Sequence, residues 1–335
     1  MRPPLSNQSP RVSVIMPSYN TATLIAGSLG SVFEQTFQDF EVVLVNDGSP
    51  DTPELERVLA PFLQKHGDQI NYIRQENKRC AGARNTAIGQ ARGEFLAFLD
   101  SDDVWLPDHL SAQMKLFEQD PSLDLVYSNG LSVGDPKLPS EFMKRCPSFG
   151  PADFQALAVE RCQIPVSTVV ARKSAIVRAG LFDETLQRCD DYDMWLRAAF
   201  HGAKISYTTK VQARLNGGRP GSLGASRARM MEAYWQILEK ALKTLPLSQS
   251  DRALVQGRAT EAHARYLLEE GKYRLQQNEF DQARTFLKEA NSHLRRSKVS
   301  LVLFGLAIAP RATGKLASMM EGVYSWKARY LPGQQ

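Results

Sequence analysis

The chain has 335 residues, 43% hydrophobic and 23% charged, enough for one large domain and a smaller one and unlike a disordered or fibrous composition. Net charge is +5, and the four cysteines, Cys80, Cys146, Cys162 and Cys189, form no CxxC pair, so the spacing predicts neither a zinc site nor a disulfide framework. Met1 to Pro10 is polar and proline-rich, and the longest apolar run, Val299 to Ala309, is shorter than the roughly 20 residues of a bilayer span, so the chain reads as cytoplasmic with reduced thiols.

Val12 to Met16 reads as a buried strand broken by Pro17, and a helix follows from about Thr21 to Gln35. Glu41 to Val45 is a second strand ending in Asn46-Asp47-Gly48-Ser49. Pro53 suits a helix first turn, and Leu55, Val58, Leu59, Phe62 and Leu63 supply that helix's apolar stripe. Ile70 to Arg74 is a third strand, and Ala81 to Ala91 a helix stopped by Gly93. Phe95 to Leu99 is the fourth strand, Pro107 to Glu118 the next helix, and Leu123 to Tyr127 a fifth strand. Strands alternating with helices predict an α/β domain with a mostly parallel sheet covered by helices.

Asn129 to Pro151 is rich in Pro, Gly and Ser and reads as a long loop. Regular structure returns at Thr168 to Ala171 and in a helix from about Asp190 to His201. Asn216 to Gly224 reads as a mobile loop and a boundary, dividing a domain over 1–225 from an all-helical region over 226–335. Gly271, Asn278, Phe280, Ala283, Leu287 and Ala290 resemble one tetratricopeptide helical hairpin, and a single unit predicts ordinary packing rather than a binding array.

The most informative stretch is Phe95-Leu96-Ala97-Phe98-Leu99-Asp100-Ser101-Asp102-Asp103. A buried strand ends there in three carboxylates, at the strand end where open α/β sheets place their ligands. Three acids in four residues suit a hard divalent cation with a phosphate completing its shell. A solvated turn is the competing reading, because Asp favours turns and caps. Four further stretches weigh against it: Pro17-Ser18-Tyr19-Asn20, Asn46 to Ser49, Gln75-Glu76-Asn77 leading into Ala83-Arg84-Asn85, and Asp190-Asp191-Tyr192-Asp193-Met194-Trp195-Leu196-Arg197. Each of the first group follows a strand, so all should converge on one sheet edge.

In this order the stretches resemble the family 2 glycosyltransferases with the GT-A fold, over about Val12 to Ala225. The resemblance implies inverting transfer of a sugar from a UDP-sugar to a saccharide or lipid-linked hydroxyl acceptor, with Mg²⁺ or Mn²⁺. It implies that Asp47 accepts from the uracil N3–H, that Pro17, Tyr19 and Asn20 shape the base and ribose pocket, and that Asn77 belongs to the same nucleotide-sugar site. Arg84 would reach the diphosphate or order the acidic cluster, and Asn85 would support that loop. Asp100 and Asp102 form the DxD motif, Asp102 contacting metal most directly and Asp100 serving ribose or metal. Asp103 would contact sugar hydroxyls or cap the next helix, and Trp105 would pack under the loop. Asp191 matches the family's general base, Asp190 standing where its partner acid is commonly Glu. Two further departures are Lys78 and Arg79 where glycines are common, and Arg214-Leu215-Asn216 where the family has Arg-x-His.

From Ser226 onward the charge balance is +8, leaving −3 for the remainder. Arg295, Arg296 and Lys298 precede Val299 to Ala309, and Arg311 and Lys315 follow it. Three readings are open for that helix: docking on the catalytic domain, a homodimer contact, or peripheral binding to the inner membrane face. The first two are favoured by its length. Nucleic-acid binding is not expected, since acids intersperse the basic residues and no recognition motif occurs. The rival functions are a sugar nucleotidyltransferase, which Pro17-Ser18-Tyr19-Asn20 suits poorly because it is not a glycine-rich basic loop, and a noncatalytic helical scaffold.

Overall fold

A computed structural model describes residues 9–133, 140–217 and 227–313, and the chain divides into two compact units, Met1–Ser222 and Leu223–Gln335. The first unit runs β1 (Val12–Ser18), α1 (Ile25–Phe33), β2 (Phe40–Asp47), α2 (Thr52–His66), β3 (Ile70–Gln75), α3 (Arg79–Gln90), β4 (Phe95–Phe98), β5 (Val104–Trp105) and α4 (His109–Gln119). It continues with β6 (Leu125–Ser132), β7 (Ser140–Glu141), α5 (Phe142–Arg145), α6 (Phe154–Ala158), a 3-10 turn at Val166–Thr168, β8 (Val169–Arg172), α7 (Lys173–Arg178), α8 (Asp190–Phe200) and β9 (Ile205–Leu215). The second unit holds α9 (Arg227–Thr244), α10 (Gln249–Gln276), α11 (Phe280–Leu294) and α12 (Ser297–Ile308), all-helical over its described residues.

The strands form one sheet in the order β3-β2-β1-β4-β8-β6-β9-β5, with β7 paired to β6. β1, β2, β3 and β4 are mutually parallel, Val14 standing opposite both Val42 and Ala97. β1, β2 and β4 are buried along their whole length, as near-continuous apolar strands covered on both faces must be. One face packs Val12, Val14, Met16, Val42, Leu44 and Ala97 with Ile25, Leu29, Leu55 and Leu59 of the helices. Each apolar side chain so buried contributes roughly 1.5–3 kcal/mol to folding.

The parallel block stops at β4. β8 is antiparallel to both β4 and β6, β6 is parallel to β9, and β5 is antiparallel to β9, so the sheet is mixed beyond its first four strands. The segment expected as a loop from Asn129 also departs from expectation. β6 continues to Ser132, β7 closes against it, and the short α5 follows. Asn129 explains the extension, because its amide donates to Thr209 O (3.1 Å) and its Oδ1 accepts from Met143 N (2.9 Å), tying a kinked strand to its neighbours. The register shifts at Ser128–Gly130 hid the strand period. The expected loop at Asn216 to Gly224 lies largely outside the described residues.

In the second unit Leu267, Leu268, Leu275, Ala283, Leu287, Ala290, Val299 and Leu306 make a separate apolar cluster. Gly271 lets α10 and α11 approach closely, since a Cβ there would lie 2.8 Å from Leu287 Cγ. Among the described residues no helix is long and apolar enough to cross a membrane.

Candidate active site

Parallel pairing brings the carboxyl ends of β1 to β4 to one edge, which carries Ser18, Asp47, Gln75 and Asp100. Because β8 runs antiparallel to β4, its entry turn with Ser167 arrives at the same edge. β9 leaves there as well, delivering Asn216.

Asp47, the last residue of β2, is buried, and its Oδ1 accepts from Gln75 Nε2 (2.6 Å) and from the Lys78 backbone N–H (2.8 Å). Asn77 donates to the Asp47 carbonyl (2.9 Å), so it braces the turn after β2 from the side. Gly48 has φ +64°, and a Cβ there would stand 2.7 Å from Asn77 N; the turn requires glycine. Asn46 accepts from Ser49 N (3.0 Å), and Ser49 Oγ in turn accepts from Asn20 N (2.6 Å), locking the loops after β1 and β2 together. Asn20 takes the left-handed conformation, φ 53°, that this crossing needs. Pro17 lies in β1 beside Val45, and Tyr19 projects into solvent at the edge.

The acidic loop is held from below. Ser18, Thr21 and Ser101 form a chain of buried hydroxyls, each contact 2.9 Å. The Asp100 N–H donates to Ser167 Oγ (3.1 Å), and Trp105 Nε1 donates to Ser167 O (2.7 Å). Trp105 is buried and stacks on His109 at 4.4 Å, so it packs under the loop as expected. Asp103 is buried and accepts from the Asn216 N–H (2.6 Å). Burial, then the charges of Asp100 and Asp102, push its carboxyl up to about 8. Its place is thus to fasten the exit of β9 to the acidic loop, and the next helix has Asp108 rather than Asp103 at its cap position.

Arg84, on α3, joins this loop to the start of α8. It is 3% exposed; Nη2 donates to Asp100 Oδ1 (2.7 Å) and Nη1 to Asp190 Oδ2 (2.6 Å), with Phe182 packed 5.4 Å from the guanidinium. Arg84 thus bridges the acidic loop and the head of α8. Asn85, one residue on, uses both amide atoms on the segment ahead of α8: Nδ2 donates to Phe182 O (2.8 Å) and to Glu184 Oε1 (2.9 Å), and Oδ1 accepts from Phe182 N (2.9 Å). Asn85 therefore positions α8.

Three acids occupy the first turn of α8, where the helix dipole favours them. Asp190 pairs with Arg84, and Asp193 with Arg197 (2.7 Å). Asp191 has no cation within ion-pairing distance among the described residues; its Oδ1 accepts from Tyr192 N (2.8 Å). Burial and the adjacent Asp190 raise its carboxyl to about 6, against the lowering influence of Arg84.

Asp100 and Asp102, both half-buried, offer hard oxygens from one short loop. Among the described residues no cluster of three or more His, Cys, Asp or Glu side chains forms a complete metal cage. The pair fits Mg²⁺ or Mn²⁺ bound together with a diphosphate, because such ions keep oxygen ligands from substrate and water. The sequence reading gave no role to Ser167, Thr21, Ser101 or Phe182, nor to the Asn216 backbone. Asn216 contributes a backbone donor, which leaves no mark in residue type, and the others act only through contacts between distant strands.

Residues 13–177 match the profile described as Glycosyl transferase family 2. The chain is 31% identical over 186 residues to the Escherichia coli UDP-Glc:alpha-D-GlcNAc-diphosphoundecaprenol beta-1,3-glucosyltransferase WfgD, covering 55% of this chain and 68% of that one. Among Rickettsia glycosyltransferases that it matches, it spans 73% of the length of one and 32% of another. In fold it is similar to Staphylococcus aureus TarS, residues 1–349, with a TM-score of 0.62 at 18% identity over 93% of this chain and 92% of that one. It is likewise similar to the mannosyltransferase PcManGT of Pyrobaculum calidifontis, solved with GDP-Man and Mn²⁺ (TM-score 0.61, 20% identity, 94% and 86% covered). A mixed sheet of this order, with the acidic loop after β4 and the acid pair at the head of α8, is the GT-A arrangement, and the chain belongs to the family 2 glycosyltransferases.

Proposed function

We propose that the chain transfers a sugar, with inversion, from a UDP-sugar to a hydroxyl of a saccharide or lipid-linked acceptor in polysaccharide or glycoconjugate synthesis. The observation that carries this reading is the linkage Asp100–Arg84–Asp190, which ties the acidic loop to the head of α8, where Asp191 has no cation within ion-pairing distance among the described residues. A carboxylate raised to about 6 is suited to take a proton from an attacking hydroxyl. The names of the relatives support a nucleotide-sugar donor, two of the three a uridine one: WfgD is named for UDP-Glc, TarS has been solved with UDP and with UDP-GlcNAc, and the mannosyltransferase with GDP-Man and Mn²⁺.

In this reading Asp47 accepts from the base through its second oxygen, its first being taken by Gln75 and Lys78. Pro17, Tyr19, Asn20 and Asn77 border the base and ribose. Asp102 and Asp100 would hold the divalent ion, which would supply neutralisation of the charge gathering on the departing nucleoside diphosphate. Asp191 removes the acceptor proton as the hydroxyl oxygen bonds to the anomeric carbon and the bond to the diphosphate oxygen breaks. One in-line displacement inverts the anomeric centre without a covalent enzyme intermediate.

Titration calorimetry with UDP and Mn²⁺ tests the reading, with GDP as the competing nucleotide because guanine also presents N–H donors. The expected result is metal-dependent binding that favours UDP. Asp102→Ala should remove the metal-dependent part. Asp191→Asn should bind UDP normally and lose transfer by roughly 10²–10⁴-fold, the usual contribution of a general base. A protein that binds neither nucleotide is not a nucleotide-sugar transferase.

A further inference from the structure

We infer that the α12 face carrying Leu301, Phe304 and Ile308 is a lipid-docking surface that seats the chain on a bilayer rich in anionic headgroups. This does not depend on the donor or acceptor proposed above. α12 turns Val299 and Leu306 into the cluster formed by α10 and α11. On its other side, Leu301 is 70% exposed, Phe304 66% and Ile308 68%, while Thr313 packs against Gly305 between them. Spacings of three and four place these side chains in one stripe, with Ser300 and Ala307 exposed beside them.

The charge around the stripe selects its occupant. Between Glu289 and Glu321 the chain has no acidic residue and five cations, Arg295, Arg296, Lys298, Arg311 and Lys315. Arg295, Arg296 and Lys298 are exposed where the chain enters α12, and Arg311 is exposed just beyond its end. A second copy of the same face would set these cations against one another in a two-fold contact, which like charge opposes. An anionic bilayer meets both properties at once. The apolar stripe enters the acyl boundary, and long basic side chains reach back to phosphate. At 12 residues α12 is too short to cross, so it lies in the interface.

Co-sedimentation of the full chain with phosphatidylcholine vesicles, with and without phosphatidylglycerol, tests this. Binding is expected only to the anionic vesicles and should fall as salt is raised. Arg295→Glu with Arg296→Glu should weaken it by roughly tenfold or more, given about fivefold per basic residue near such a surface. Leu301→Ser with Phe304→Ser should abolish binding while helix content by circular dichroism stays unchanged, since both side chains stand in solvent. The inference is overturned if the full chain ignores anionic vesicles, or if binding survives Leu301→Ser with Phe304→Ser. A solution dimer that Phe304→Ser dissolves would also overturn it, by assigning the face to a second copy.

Discussion

Arg84 is the side chain on which the site's geometry turns. It sets one guanidinium between two carboxylates from elements 16 and 106 residues away in sequence. Lysine keeps the charge but lacks the planar fork, so it can hold one partner and not both. Arg84→Ala leaves Asp190 buried without its cation, and loss of one partner from a buried pair costs about 3–5 kcal/mol, measurable by urea denaturation. Arg84→Lys should fold and instead move the pH profile. The base must be deprotonated to act, so with Asp191 raised to about 6 the transfer rate should fall about tenfold per pH unit below that value. Arg84 lowers the Asp191 pKa, so weakening its hold should raise that pKa and shift the acid limb of kcat to higher pH. A limb that stays in place would show that Arg84 acts on stability alone. Arg84 and both carboxylates could be named from the sequence, but not their pairing, because a guanidinium on three flexible methylenes can reach solvent, phosphate or carboxylate equally.

At the scale of elements, glycines separate what propensity decides from what packing decides. In α10, Gly257 is exposed with nothing near its missing Cβ, whereas Gly271 faces Leu287 at 2.8 Å from Cγ and 3.2 Å from the backbone nitrogen. Gly257→Ala should therefore stabilise by up to about 1 kcal/mol through helix propensity. Gly271→Ala gains the same propensity but overpacks the α10–α11 contact, a cost of about 1–3 kcal/mol, and should lower the melting temperature. Thermal denaturation of the two variants reads the contrast directly. The strands β1, β2 and β4 were legible because strands buried on both faces are apolar throughout. β9 was not: it runs Ile205–Leu215 with alternating polar residues, pairs on both sides and kinks at its register shifts with β6. The two residues of β5 are a strand only because β9 lies beside them.

Across the whole molecule, the two units have distinct apolar clusters, and the residues proposed to bind nucleotide all lie in the first. UDP with Mn²⁺ at about 100 times its Kd should stabilise that unit by about 2.7 kcal/mol, seen in calorimetry as an upward shift that Asp102→Ala loses. The sequence by itself determined the family, the parallel block of strands and the identity of the acids, because each rests on residue type at a strand end or on a local hydrophobic period. Only the tertiary structure decided that Asp190 is paired with Arg84, which lies 106 residues away in sequence. Asp190, Asp191 and Asp193 share one helical turn. Arg197 reaches Asp193 from one turn further along the same helix, whereas Arg84 reaches Asp190 from α3, and burial makes both pairings count.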